Sequence, residues 1–379
     1  MECYFDNAAT TAVFPEVKDL MVKIMEEDYG NPSSLHMKGV EAERYIKEAA
    51  SRISKELKCL EKELTFTSGG TESNNLAIIG AAMAKRRQGK HIICSEIEHA
   101  SVSAPMEFLE KEGYEVTYVG VDEHGRLKLD ELKGALREDT ILVSTMFVNN
   151  EIGVIEPIEE ISKVIKDYNE NIVFHVDGVQ AFGKMRFSPK KLGVDLMSFS
   201  GHKIHGPKGS GALYIKDKLL MRPIIYGGGQ QNAMRSGTEN VPAIAGMGLA
   251  TELMYKDNEK KMDYIRALKK SFIERVTAFE NVYDNSGEAP HVMSISFVGV
   301  RSEVMLHALE DKGIYVSAGS ACSSNKPHVS NVLKAIKLPQ DRLESTLRFS
   351  FCEDNTMEQV DYAVSIIGEL LPMLRKYTR

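Results

Sequence analysis

Between about residues 60 and 226 the chain alternates short apolar runs with stretches of helical period. This alternation restricts the fold more than any other feature. LTFT (64–67), HIICS (91–95), EVTYV (115–119), ILVSTMF (141–147), IVFHV (172–176), DLMSFS (195–200) and GALYI (211–215) read as strands. Most intervals between them carry helix-like periods, such as NNLAIIGAAMAKRRQ after the first. Strands separated by helices predict an α/β fold, with a mainly parallel sheet covered by helices on both faces.

Past about residue 241 the pattern changes. A long helical stretch (241–280) leads to VMSISFV (292–298), a helix over 302–312 and IYVSA (314–318). A loop holding Cys322 follows, then a helix near 328–336, TLRFSF (346–351) and a last helix from about 356. This predicts a smaller α+β unit. A chain of 379 residues, 43% hydrophobic, is long enough for about two domains. The expected division is a large domain over 15–258 and a small one formed by 1–14 and 259–379. The early YFDNAATT packs with the small unit or against the cleft.

Open parallel sheets bind ligands at the carboxyl ends of their strands. Ser68-Gly69-Gly70-Thr71-Glu72 follows LTFT, and Glu96-Ile97-Glu98-His99 follows HIICS. Val148-Asn149-Asn150-Glu151 comes after STMF. Asp177, with Gln180 three residues on, comes after VFHV, and Gly201-His202-Lys203 after LMSFS. Chemically useful side chains therefore collect at one edge.

Each residue has a bland reading beside the functional one. TSGGTES opens a helix whose unpaired N–H groups attract phosphate, yet it also fits an ordinary strand-to-helix turn. Lys203 stands just past a buried strand, where poor solvation lowers an amine's pKa and suits it to form a Schiff base with an aldehyde. Lys208, in the turn-like GPKG, is its competitor. Asp177 could keep a pyridine nitrogen protonated or simply cap a helix. His99 could stack on a ring and shuttle a proton. Gln180 and Asn150 are neutral donors. Arg348, in a strand, suits a bidentate grip on a carboxylate or a structural salt bridge. The glycine-rich IIYGGGQQNAMRSGTEN (224–240) could offer Thr238 and backbone N–H groups to a phosphate.

The five cysteines include no C-x-x-C pair, and their odd number fits a reducing compartment. Nothing in their spacing suggests a metal site. A net charge of −7 argues against a general nucleic-acid binder. The start, MECYFDNAATT, is not that of a signal peptide, and no run of about 18 apolar residues could span a membrane. The expectation is a cytoplasmic protein. Cys322 differs from the other cysteines, because GSACSSN surrounds it with residues of exposed loops.

YFDNAATT, GNPSSLH, TSGGTESNN, EIEHASV, VNNEIGV, HVDGVQAFGK, SFSGHKIHGPKG, GGGQQNAMRSGTENV, GSACSS and LRFSF occur in this order. Together they resemble the pyridoxal-phosphate cysteine desulfurases, which supply sulfur for iron–sulfur clusters and tRNA thiolation. The resemblance covers residues 4 to about 370. It implies the fold-type I aminotransferase architecture, a homodimer, and pyridoxal 5'-phosphate as cofactor. It implies Lys203 as the Schiff-base lysine, Asp177 at the pyridine nitrogen, Gln180 at the ring hydroxyl and His99 stacked on the ring. Thr71, Ser200 and His202, with the Gly70–Thr71 backbone, would hold the phosphate, helped by Thr238 from the partner subunit. Asn150 and Arg348 would bind the carboxylate of L-cysteine.

Cys322 would take the sulfur as a persulfide and pass it to an acceptor protein, an iron–sulfur scaffold or a tRNA-thiolation protein. That task favours a loop able to swing, so poor order is expected over 319–328 without substrate. The chain departs from the usual pattern at Gly178, where Ala is common, and at Gln231 and Ala233, where Glu and Gly are usual. A short C-terminus leaves scaffold docking open. An aminotransferase, a selenocysteine lyase and a cofactor-free adaptor are the competing readings.

Overall fold

The structure, a computed structural model, describes residues 1–318 and 330–376. Twelve strands occur among them. They are β1 (Cys3–Tyr4), β2 (Leu64–Thr67), β3 (His91–Ser95), β4 (Glu115–Val119), β5 (Thr140–Met146), β6 (Val173–Asp177), β7 (Leu196–Ser200), β8 (Gly211–Ile215), β9 (Val282–Asp284), β10 (Val292–Phe297), β11 (Ile314–Tyr315) and β12 (Thr346–Ser350). The longer helices are α1 (Pro15–Glu26), α2 (Met37–Leu57), α3 (Gly70–Lys85), α4 (Ala100–Lys111), α5 (Leu129–Ala135), α6 (Ile158–Tyr168), α7 (Val241–Tyr255), α8 (Asn258–Val276), α9 (Ser302–Glu310) and, after two short turns of helix, Met357–Arg375.

The main sheet has the order β2-β8-β7-β6-β5-β3-β4. Pairs from β4 through β7 are parallel, whereas β8 runs antiparallel to both β7 and β2. Period-two alternation sends Ile93, Val143, Phe174 and Met197 into a core with α1, α2, α6 and α7. Their neighbours Ile92, Leu142, Val173 and Leu196 enter a second core under α3 and α4. Both faces of the inner strands are thus covered, the edge strand β4 is partly exposed, and the carboxyl ends of the parallel strands meet at one rim.

The smaller sheet, β12-β10-β9, is antiparallel and packs on α8, α9 and the C-terminal helix. Phe272 lies between Phe349 and Phe351, with ring centroids 4.7 and 5.8 Å away. The N-terminal segment joins both units. β1 pairs with β11, Asp6 bridges to Ser350, and the N–H groups of Thr11 and Phe14 donate to the carbonyls of His202 and His205.

Three expectations change in detail. The helical stretch 241–280 is two helices, because Asp257 takes a left-handed conformation (φ 53°) between them. IYVSA forms a strand only over Ile314–Tyr315; Ser317 then bridges to Arg348 in the opposite sense. The helix near 328–336 is confined to Asn331–Ala335 among the described residues.

α7 meets α2 at Gly248, where an added Cβ would stand 2.6 Å from Ala49 Cα and 2.7 Å from its Cβ. Replacing Gly248 with Ala must separate the two helices. We expect a loss of about 1–3 kcal/mol in denaturant unfolding; unchanged stability would contradict the close contact.

Candidate active site

The rim of the main sheet, the N-terminal segment and β12 enclose a cavity of about 250 Å³. Ala8, Ala9, Gly70, Thr71, His99, Asn150, Asp177, Gln180, Ser200, His202, Lys203 and Arg348 all line it. Two expected site residues stand apart. Thr238 is exposed on a loop and does not line the cavity. Cys322, with the loop 319–328, lies outside the described residues.

Lys203 ends a single turn of helix that follows β7 directly. Its Nζ donates to the backbone carbonyls of Ala8 (2.7 Å) and Ala9 (2.6 Å). Behind it, Lys184 Nζ donates to the Lys203 carbonyl at 3.0 Å. Burial, aided by the charge of Lys203, brings the Lys184 amine down to about 7.

Asp177 is the last residue of β6 and is nearly fully buried. Its Oδ2 accepts from Asn74 Nδ2 at 2.8 Å, and its Oδ1 from the Val179 N–H at 3.0 Å. Asn74 Nδ2 also donates to Ser101 Oγ at 2.8 Å, which leaves the Ser101 hydroxyl hydrogen for His99 Nδ1, 2.8 Å away. The Ser101 N–H donates to the same nitrogen. His99 therefore carries its proton on Nε2 when neutral. Burial lowers its pKa, and the cations Lys203 and Arg348 add to this against the opposing pull of Asp177. One chain of contacts thus sets the carboxylate and the imidazole together.

The start of α3 forms a small cradle. The first-turn N–H groups of a helix, here Gly70, Thr71 and Glu72, have no intrahelical acceptor. Ser200 Oγ is buried nearby without a hydrogen-bond partner among the described residues. A Cβ on Gly70 would come within 2.8 Å of Val179 Cγ2 and 3.6 Å of Ser200 Cβ, so glycine keeps this space open. An anion would satisfy both the orphaned hydroxyl and the free N–H groups.

Arg348 is 5% exposed on β12. Its Nη2 pairs with Asp6 Oδ1 at 2.7 Å and its Nη1 donates to the Asn150 carbonyl at 3.1 Å, while Nε has no partner among the described residues. The salt bridge weighed from sequence is therefore present, and the guanidinium still lines the cavity with a donor to spare.

Two of the departures from the usual pattern, Gly178 and Gln231, have local reasons, and Ala233 has none. A methyl group on Gly178 would stand 3.0 Å from Met197 Cγ and 3.2 Å from a Phe199 ring carbon, and glycine relieves that crowding. Gln231 accepts from the Phe66 N–H of edge strand β2 and donates to Glu239 Oε1, a bond that a carboxylate could not donate. Gln231, Asn232 and Ala233 take φ values of 47°, 55° and 61°, so Ala233 carries strain that glycine would not.

Sequence reasoning missed the two alanine carbonyls, Asn74 and Ser101. Asn74 and Ser101 leave a faint signal, as polar residues on the core-facing sides of helices α3 and α4. Main-chain acceptors leave none. Glu98, next to His99, was quoted but given no role. It is half-buried, accepts from Ser95 Oγ and the Met146 N–H, and is pushed up to about 8 by burial.

The aminotransferase class-V family model matches residues 3–363. A protein of Dictyoglomus turgidum named cysteine desulfurase IscS is 45% identical over 99% of this chain and 95% of its own length. One of the same name from Methanosarcina thermophila is 43% identical over 98% of this chain and 92% of its own length. A solved structure described as a NifS-like protein superposes with a TM-score of 0.94 at 37% identity, covering 99% of this chain and all of that one.

His202 is held down to about 4, first by burial and then by Lys203, Lys208 and Lys184. Its imidazole takes a proton near pH 6.5 in an unfolded chain. The unfolded state therefore binds more protons below that pH, and stability is lost as pH falls from about 6.5 toward 4. In cofactor-free protein, His202→Gln should lose less stability between pH 7 and 5 than the parent; equal losses in denaturant unfolding would contradict this.

Proposed function

We propose, from the premise that this chain belongs to the aminotransferase class-V family and to the cysteine desulfurases within it, that the cavity binds pyridoxal 5'-phosphate and L-cysteine, releasing L-alanine and storing sulfur as a persulfide on Cys322. The family depends on pyridoxal phosphate. The observation that carries the residue assignment is the meeting of Lys203, Asp177, His99 and Arg348 in one cavity. The orphaned Ser200 hydroxyl and the free N–H groups of α3 fit a phosphate, and the buried Asp177 carboxylate fits a protonated ring nitrogen.

When bound, the cofactor supplies an aldehyde for amines and a cationic ring that withdraws electrons from the substrate Cα. Lys203 would hold the aldehyde carbon, then, as a free amine, take the proton from Cα. Asp177, its two oxygens fixed by Asn74 and Val179, would keep the proton on the ring nitrogen. Thr71, Ser200, His202 and the Gly70–Thr71 backbone receive the phosphate. Gln180 donates toward the ring hydroxyl. Arg348 and Asn150 take the substrate carboxylate, whose charge the guanidinium can share with Asp6. His99 would face the ring and move a proton at the substrate sulfur, since its Nδ1 bonds leave Nε2 for that work.

Cys322, as a thiolate, attacks the substrate sulfur. An S–S bond forms, the Cβ–S bond breaks, and the electron pair left on carbon is protonated as alanine departs. The persulfide sulfur then passes to a protein acceptor, an iron–sulfur scaffold or a tRNA-thiolation protein. Thr238, exposed here, would serve the phosphate of a second copy in a homodimer. The described cysteines Cys3, Cys59, Cys94 and Cys352 are all free, which supports a reducing, cytoplasmic setting. No helix among the described residues is long and apolar enough to cross a membrane.

Replacing Cys322 with Ser should abolish persulfide detected by mass spectrometry after cysteine is added, with the absorption of bound cofactor intact; persistent persulfide formation and sulfide release would overturn the thiol's role. Arg348→Lys should raise KM for cysteine by about tenfold or more, with a smaller effect on kcat, since an ammonium cannot reproduce the planar grip. An unchanged KM would remove Arg348 from substrate binding.

A further inference from the structure

We infer that His291 is a positioning residue: its Nε2–H pins the oxygen of the Gln180 carboxamide and so keeps the NH2 end of that side chain on the cavity wall. This rests on the reading of Gln180 as a cofactor contact.

Gln180 is 5% exposed and lines the cavity; His291 does not line it and reaches Gln180 from the start of β10. His291 Nε2 stands 3.2 Å from Gln180 Oε1, and Gln180 Nε2 donates to the Ala8 carbonyl at 2.9 Å. An amide oxygen only accepts, so His291 must be the donor and its neutral ring carries the proton on Nε2. Complete burial, with Lys184, Lys269, Arg348 and Lys203 around it, keeps the ring neutral.

The reversed amide fails at both ends. It would set a carbonyl oxygen against the Ala8 oxygen. It would also force the proton onto Nδ1, which is buried without a hydrogen-bond partner among the described residues. The two ends differ in one respect. Ala8 O is shared with Lys203 Nζ, the amine that would leave this acceptor to join the cofactor. The oxygen end is held from the small sheet, so His291 keeps the amide orientation independent of what Lys203 is doing.

The imidazole does this at a cost. Its Nδ1 is an orphaned polar atom, which a phenyl ring of similar size would not bring. A packing role alone would therefore favour phenylalanine at this position.

The test titrates cofactor-free protein with pyridoxal phosphate, follows binding by absorbance, and records the melting temperature of the unloaded protein. His291→Phe exchanges one orphaned buried atom, His291 Nδ1, for another, Gln180 Oε1, and so should melt close to the parent yet bind the cofactor about tenfold more weakly, the scale of one lost hydrogen bond. His291→Gln, which restores an N–H donor, should recover most of that affinity. In a Gln180→Leu background, His291→Phe should cost nothing further. A lowered melting temperature with unchanged affinity, additive losses in the double variant, or a Gln variant as weak as the Phe variant would overturn the inference. If Gln180→Leu alone leaves cofactor affinity unchanged, the reading of Gln180 fails first and the inference falls with it.

Discussion

Two backbone carbonyls, those of Ala8 and Ala9, hold the amine of Lys203. The grip exists only because the N-terminal segment is threaded between the two sheets. Residues 3–6 are bound to β11 and β12 of the small unit, while Thr11 and Phe14 are bound to the loop that carries Lys203. Neither unit alone could present this amine to the cavity. The same arrangement brings Arg348 from β12 to within reach of Asp6 and Asn150. The cavity is therefore a product of how the two sheets are joined, even though most of its wall comes from the larger one.

Its electrostatics follow from burial. His99 and His202 are kept from protonation by desolvation and by neighbouring cations, so the positive charge is concentrated on Lys203 and Arg348. Asp177 and Asp6 answer part of that charge. Among the described residues, Ser200 Oγ and Arg348 Nε are donors without a partner, and the first-turn N–H groups of α3 have no intrahelical acceptor. A ligand with two anionic ends, one at the helix start and one at the arginine, completes the set. Behind the lysine, Glu353 is shared between His205 Nε2 (3.5 Å) and Lys261 Nζ (3.2 Å), and Phe14 stacks on His205 at 4.4 Å. This partly buried cluster braces the loop, and none of its members lines the cavity.

The strands of the main sheet were legible because parallel strands buried on both faces are plain apolar runs. Asp177, His99, Asn150 and Lys203 each follow one of these runs, which in a parallel sheet sets them at one rim. β1 and β11 were harder, since two-residue strands such as Cys3–Tyr4 and Ile314–Tyr315 have no period to read. The break at Asp257 was hidden because an aspartate with positive φ looks like any other polar residue between two helical patterns. The supporting contacts were hidden for a different reason. Asn74, Ser101 and His291 act through pairings far apart in sequence, and the Ala8 and Ala9 carbonyls have no side-chain signature at all.

The proposed chemistry requires that Lys203 join the cofactor, ahead of the buried Lys184 and of Lys208 in the following turn. The most direct measurement is borohydride reduction of the cofactor-loaded protein, followed by proteolysis and peptide mass spectrometry. The added mass should fall on the peptide at Lys203 and vanish when Lys203 is replaced by Ala. Mass fixed on Lys184, on Lys208, or on no lysine of this rim would contradict the account.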